Sequence, residues 1–190
     1  MRRKSPIKNL VCLALLVALQ VVLSRFLSIQ TPVVKIGFAF IPVMLAGVMF
    51  GPGDAALVGG LSDVVGAILF PFGSYFPGYT ITAALSGAIY GFALYTDKEK
   101  IRIHRIVIAY LLTTLIVTLG LNSLFIAFQN EMMVEGGFSF SRMMRVYLTY
   151  VPTRLTQAGI MLAIQVAITV LLLDILKIDY KIMRAVYHRR

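Results

Sequence analysis

The sequence predicts an all-α integral membrane protein, in which residues 1–190 form a single domain of six transmembrane helices. Three observations predict this fold. The chain is 59% hydrophobic and only 14% charged, which is more apolar surface than a soluble domain of this length could bury. Its charged residues are gathered between long uncharged stretches, and a helix needs about 20 apolar residues to cross a bilayer. Basic residues flank these stretches, as is typical of membrane proteins.

The uncharged stretches place the six helices. We expect helices at residues 9–24, 36–53, 55–70, 78–96, 106–130 and about 146–173. The turn at residues 51–54 separates the second helix from the third. The third and fourth helices share an uncharged run at residues 64–96, which is too long for one crossing, and Pro71 and Pro77 interrupt it. This run predicts a helical hairpin with an aromatic turn.

The charge pattern predicts the orientation. The formal net charge is +10 at pH 7, and most basic residues lie before the first helix, between residues 97 and 105, or near the C-terminus. Six crossings put these three segments on one side, so the pattern predicts an N-in/C-in topology and not a nucleic-acid-binding surface. We expect the basic N-terminus and the apolar run after it to form an uncleaved first helix and not a signal peptide.

Asp63 is a carboxylate inside an otherwise apolar helix, and such residues need a stabilising partner or a function. It shares a helical face with Gly59 and Gly66, which would allow a helix backbone or a flat ligand to approach closely. Two interpretations remain open from the sequence. Asp63 either binds a ligand or makes a structural hydrogen bond to a neighbouring helix.

The aromatic turn after this helix is a candidate pocket wall. Phe72, Phe76 and Tyr79 lie within it, and aromatic rings favour stacking and edge contacts with flat ligands. With the N-in orientation, this turn faces the outside of the cell. We therefore expect these three residues to contact a ligand that arrives from outside.

Asn122 lies in the fifth helix on one stripe with Thr118, Phe125 and Gln129. This spacing indicates a polar seam that faces the interior of the bundle. The seam either contacts a ligand or makes hydrogen bonds between helices, which are worth about 0.6 to 2 kcal/mol each.

Arg154 follows Pro152 in the last helix. Its planar guanidinium suits a carboxylate or phosphate ligand, although an ion pair with Asp63 or Glu131 would be a purely structural alternative. Arg25 is a further candidate for an anionic ligand. It can reach a pocket only where the first helix ends or bends near Ser24.

Ala14 and Ala18 form a small-xxx-small pattern in the first helix, which permits close helix packing, by default inside the protein. Other patterns exclude function classes. The chain has no Gly-rich phosphate loop, no nucleophile elbow, and one cysteine that leaves no disulfide or cysteine-based metal site. His104 and His188 lie in basic segments away from Asp63. We therefore expect neither an enzyme nor a metal or cofactor in this chain.

Several segments resemble the substrate-binding (S) components of energy-coupling factor (ECF) vitamin transporters. The resemblance is carried by KIGFAFIP (residues 35–42) and AGVMFGP (46–52). GLSD (60–63) and YFPGYT (75–80) narrow it to the folate-specific branch, and LNSL (121–124) and PTRL (152–155) also resemble late segments of that branch. The similarity covers nearly the whole chain, and its motifs are specific in combination.

This resemblance implies a folate-binding subunit of the prokaryotic cytoplasmic membrane. It would capture folate from outside and work with a transmembrane coupling protein and two cytoplasmic ATPases, which use the ATP. Ala14 and Ala18 match the family's docking motif for the coupling protein. The pterin would lie against Phe76 or Tyr79.

The resemblance also suggests roles for the polar candidates. The amino and amide edge of the pterin would meet Asp63 or Asn122, and the glutamate carboxylates would meet Arg154 and Arg25. Three alternatives remain. They are an S component for riboflavin or thiamine, an ion-coupled secondary transporter that uses Asp63, and a membrane assembly protein without a ligand.

Overall fold

The computed structural model describes residues 6–30, 35–71, 75–96, 101–133 and 138–175. Its elements in chain order are α1 (Pro6–Arg25), β1 (Ser28–Gln30), β2 (Lys35–Gly37), α2 (Phe40–Phe50), α3 (Pro52–Leu69), α4 (Pro77–Leu94), α5 (Ile103–Met132) and α6 (Phe140–Ile175). The six helices confirm the predicted all-α bundle. Four of them, α1, α3, α5 and α6, are each long and apolar enough to cross a membrane.

The second helix is shorter than predicted. The sequence placed it at residues 36–53, but α2 has 11 residues and rises only about 16 Å, roughly half of a ~30 Å hydrocarbon core. Residues before it form an antiparallel strand pair, with Ser28 opposite Gly37. A Cβ atom at Gly37 would lie 2.5 Å from the Cβ of Ser28. Glycine therefore allows the close pairing of these two strands.

The predicted turn between the second and third helices is a single residue. Gly51 has φ 93°, a left-handed conformation that favours glycine, and α3 begins directly at Pro52. Proline is well suited to the first helical turn, where its missing N–H has no intrahelical partner. Gly51 also lies against the ring of Tyr95 at the end of α4. This contact fixes one end of the bundle.

Helices α3 and α4 touch through their backbones. A Cβ atom at Gly87 would lie 2.2 Å from the carbonyl oxygen of Ala55, and one at Gly59 would lie 2.4 Å from that of Ala83. Such contacts exclude any side chain, and small residues allow this packing between membrane helices. The predicted helical hairpin is therefore formed and is locked in one register.

A buried core built around Tyr110 joins four helices near the first turn of α2. The Tyr110 ring of α5 lies 5.8 Å from that of Phe40 and 5.2 Å from that of Tyr90. Its hydroxyl lies 2.6 Å from Oγ1 of Thr169 in α6. This core joins α2, α4, α5 and α6 below the strand pair.

We predict that Gly87→Ala lowers the thermal stability of the purified protein in detergent. Its methyl group would overlap the Ala55 carbonyl, and overpacking of this kind typically costs about 1–3 kcal/mol. Gly159→Ala is the matched control, since a Cβ atom there meets nothing within 4 Å. Equal melting temperatures of the Gly87 variant and the wild type would contradict the close α3–α4 contact.

Candidate functional site

An aromatic cluster joins the start of α4 to the end of α5. It consists of five rings, those of Phe76, Tyr79, Phe125, Phe128 and Phe138. The Phe76 ring lies 5.3 Å from that of Phe125, 5.7 Å from that of Tyr79 and 6.2 Å from that of Phe128. The Phe138 ring, beyond the end of α5, lies 6.0 Å from that of Phe128.

Gly78 makes this cluster sterically feasible. A Cβ atom at this position would lie 2.3 Å from the Phe76 ring and 2.8 Å from the Phe125 ring. The predicted aromatic turn therefore packs onto α5 through Phe76 and Tyr79. Phe72, also predicted for this wall, lies outside the described residues.

Asp63 makes a hydrogen bond to the neighbouring helix. Its Oδ2 accepts from Thr80 Oγ1 at 2.7 Å, and the hydroxyl of Tyr75 lies 2.8 Å from the same Thr80 oxygen. Because an ionised carboxylate only accepts, Thr80 donates to Asp63 and Tyr75 donates to Thr80. Among the described residues no basic side chain pairs with Asp63. Thr80 fixes one carboxylate oxygen, and Oδ1 keeps its capacity to accept.

The polar stripe of α5 faces α4. Oδ1 of Asn122 lies 2.8 Å from Thr82 Oγ1, and Oε1 of Gln129 accepts from the Tyr79 hydroxyl at 2.7 Å. Both contacts cross from α4 to α5, so the stripe contributes hydrogen bonds between helices. It also places the Gln129 amide at the Tyr79 hydroxyl of the aromatic cluster.

Arg154 is only 7% exposed. Its Nη1 donates to the backbone carbonyl of Thr118 at 3.2 Å, and its Nε is buried without an acceptor among the described residues. A buried guanidinium without a counter-charge is costly inside a membrane protein.

The alternative that Arg154 pairs with Asp63 or Glu131 is wrong, because both carboxylates have other partners. Glu131 accepts from Arg142, with Nη2 at 2.8 Å and Nε at 3.0 Å from Oε1. The backbone N–H of Ser139 donates to the same oxygen at 2.8 Å. The ion pair therefore joins the end of α5 to the start of α6, and no carboxylate of the described residues pairs with Arg154.

Arg25 is the last residue of α1. The helix therefore ends next to Ser24, which was the condition for Arg25 to reach a pocket. Its guanidinium packs on Gly66 of α3, where a Cβ atom would lie 2.9 Å from Nε. This Nε is also buried without an acceptor in the described part of the chain. The neighbouring ring of Phe26 lies 5.0 Å from that of Phe70. Arg25 thus lies on the α3 side of the bundle, apart from the contacts of Arg154.

An apolar cavity of about 400 Å³ lies between the end of α1, the strand pair and α6. Its lining consists of Phe26, Leu27, Ser28, Gly37, Phe38, Met161 and Ile164. Met161 follows Arg154 by two helical turns on the same face of α6. The cavity volume is within the usual range for small-molecule sites.

Ala14 and Ala18 are exposed on the surface of α1. The default expectation that they pack inside this chain is therefore wrong. Small residues of α2, α3 and α4 do pack internally, where Gly47 meets Gly91 and Gly87 meets Ala55. The Ala14/Ala18 surface is left for lipid or for a partner protein.

Sequence reasoning missed Thr80 and Thr82, the α4 hydroxyls that hold Asp63 and Asn122. Both belong to the first turns of α4, and Thr82 is only 2% exposed. A weak signal existed, because polar residues in an apolar helix usually face other helices. Phe128 and Phe138 were missed because they lie outside the aromatic turn.

Comparisons with known proteins agree on one family. The chain matches the family model of the ECF transporter substrate-specific component over residues 8–173. It is 34% identical over 171 residues to the folate transporter FolT of Leuconostoc mesenteroides, which covers 90% of this chain and 87% of that protein. It is 43% identical over 117 residues to FolT of Clostridium novyi, covering 62% of this chain and 67% of that protein.

A solved structure gives the same result. The fold is similar to a crystal structure of FolT bound with folic acid, with a TM-score of 0.72 and 36% sequence identity over 86% of this chain and 89% of that chain. The family model alone covers more than half of the sequence. The chain therefore belongs to the substrate-specific components of ECF transporters, which are membrane transport proteins and not enzymes.

Proposed function

We propose that the chain is the folate-binding subunit of an ATP-driven ECF importer in a prokaryotic cytoplasmic membrane. It captures folate from outside and delivers it together with a transmembrane coupling protein and two cytoplasmic ATPases. Two relatives named as folate transporters and the folic-acid-bound neighbour support this proposal. The N-in/C-in orientation would turn the aromatic cluster and the start of α6 toward the outside.

The observation that carries the proposal is the buried charge of Arg154. A guanidinium that is 7% exposed and lacks a carboxylate partner among the described residues is suited to an anionic ligand. Folate ends in a glutamate with two carboxylates. Riboflavin and thiamine have none, and thiamine is itself a cation. The electrostatics of Arg154 therefore favour folate among the vitamins considered.

The aromatic cluster and Asp63 suit the other end of folate. A pterin is flat, and its amino and amide N–H groups form one edge that donates hydrogen bonds. The rings of Phe76 and Tyr79 supply apolar contact area, and Oδ1 of Asp63 supplies an acceptor whose direction Thr80 fixes. Asn122, which lies against Thr82 one turn beyond Tyr79, is a further polar candidate for the pterin edge.

We infer that partner proteins use the ATP, since the chain has no phosphate-binding loop and belongs to a family of ECF components. We place the docking surface for the coupling protein at Ala14 and Ala18. Both are exposed on α1, and large apolar side chains surround them, with Val11 53%, Leu15 64% and Val22 45% exposed. Small residues within an apolar surface allow a partner helix to approach closely.

We predict that Asp63→Asn weakens folate binding by roughly 10- to 100-fold, since a hydrogen bond to a charged group is worth about 1.5–3 kcal/mol. Titration calorimetry on the protein in detergent measures this. Asp54→Asn is the matched control, because Asp54 lies in the first turn of the same helix, at its opposite end. Equal affinities of the Asp63 variant and the wild type would remove Asp63 from the binding site.

We predict that Arg154→Gln weakens folate binding by at least about 30-fold, as truncation of a buried charge pair costs about 2–5 kcal/mol or more. Arg145→Gln is the control, since Arg145 is exposed on the same helix. A panel of folate, riboflavin and thiamine tests the vitamin. Tighter binding of riboflavin or thiamine than of folate by the wild-type protein would refute the folate assignment.

We predict that the double substitution Ala14→Trp and Ala18→Trp abolishes co-purification with the coupling protein and the ATPases but leaves folate affinity unchanged. The bulky rings would separate the helices that have to touch. Ala163→Trp with Ala167→Trp is the control, as both alanines have the same spacing and are exposed on α6. An intact complex with the α1 variant would move the docking surface elsewhere. Folate uptake by cells that lack the ATPases would instead indicate an ion-coupled carrier.

A further inference from the structure

Helix α5 changes its winding beside Arg154. Ten residues, Thr113–Asn122, form a π-helix, whereas π windings are usually single turns inside α-helices and often occur at functional sites. The segment contains Asn122 and the Thr118 carbonyl that binds Arg154. The π-helical segment therefore lies directly against Arg154, the candidate anion-binding residue.

Ser123 closes the last turn of this segment with its side chain. Its hydroxyl donates to the carbonyl oxygen of Thr118, five residues earlier, at 3.0 Å, and Ser123 itself is 0% exposed. Serine and threonine hydroxyls in α-helices reach back three or four residues. Those of Ser62, Ser86 and Thr113 in this chain all reach back four. The five-residue reach of Ser123 thus belongs to the wide π turn.

Two backbone carbonyls of this turn accept hydrogen bonds from side chains of α6. Thr118 O accepts from both Ser123 Oγ and Arg154 Nη1. The next carbonyl, that of Leu119, accepts from the Tyr147 hydroxyl at 3.4 Å. A regular α-helix directs each carbonyl along its axis toward the N–H four residues on. The wide turn leaves two successive carbonyls in contact with side chains.

We propose that Ser123 is a positioning residue for anion binding, which acts by holding the Thr118 carbonyl that fixes Arg154. With Nη1 held by that carbonyl, the Nε and Nη2 edge of the guanidinium is the pair of donors left for a carboxylate. The buried Nε without an acceptor among the described residues agrees with this arrangement. The identity of the anion as a folate carboxylate rests on the proposed function, whereas the link between Ser123 and Arg154 does not.

A double-mutant cycle tests this link. The four proteins are the wild type, Ser123→Ala, Arg154→Gln and the double variant, with Ser86→Ala as a control that removes a hydroxyl–carbonyl bond from α4. Each is measured for its melting temperature without ligand, for its folate affinity, and for its affinity for 6-hydroxymethylpterin, which has no carboxylate. We expect Ser123→Ala to weaken folate binding about five-fold, the equivalent of one hydrogen bond. It should leave hydroxymethylpterin binding unchanged.

The decisive outcome is the non-additivity of the cycle. If Ser123 acts through Arg154, Ser123→Ala has no further effect on folate affinity or melting temperature once Arg154 is Gln. Additive losses in the cycle, or an equal loss of affinity for hydroxymethylpterin, would overturn the proposal and leave Ser123 a merely structural role. A wild-type protein that binds no folate refutes the proposed function instead. In that case the melting temperatures of the four proteins still test the link between Ser123 and Arg154.

Discussion

The backbone contact between α3 and α4 is the constraint on which the candidate site depends. Gly59 and Gly87 allow the two helices to touch without intervening side chains, so neither helix can slide or rotate relative to the other. This fixed register brings Thr80 to Asp63. Since α4 also contacts α5, the same register places Thr82 at Asn122. One steric relationship thus aligns three helices at the aromatic cluster.

The bilayer explains why the polar contacts of the site are made within the protein. Hydrocarbon offers no hydrogen-bond partners, so each polar group inside it has to find one in the chain or in a ligand. Asp63, Asn122 and Gln129 find neutral hydroxyl partners on the adjacent helix α4. Within the described part of the chain, Arg154 finds a carbonyl as its partner, which satisfies one donor but not its charge. That imbalance distinguishes Arg154 from the structural polar residues around it.

Much of the fold could be predicted from the sequence, because the uncharged runs that mark the helices are long. Uncharged runs gave the six helices, and Pro71 and Pro77 gave the break between α3 and α4. The polar stripe of Asn122 and Gln129 was predicted to face inward, and it faces α4, since the two residues are seven positions apart, or about two helical turns. The short strands and the late start of α2 were not predicted, because three-residue strands have no periodic signal.

The partners of the candidate residues could not be predicted for a different reason. Which hydroxyl meets Asp63 depends on the register of two helices, and backbone contacts between glycines set that register. Arg154 binds a backbone carbonyl in a π turn, and no residue type specifies such a turn. Glu131 pairs with Arg142 across a short loop. Because of that local pairing, Glu131 is not the partner of Arg154 that the sequence allowed.

The unequal lengths of the helices have a consequence for the surrounding lipid. Helix α6, with 36 residues, is about 54 Å long, whereas α3 and α4, with 18 residues each, are about 27 Å long. Parts of α6 therefore extend beyond a hydrocarbon core of about 30 Å or cross it at a tilt, and the charged residues Arg145 and Asp174 near its two ends suit the first arrangement. A change in membrane thickness would therefore change how much of α6 lies in hydrocarbon, whereas α3 and α4 span little more than the core itself.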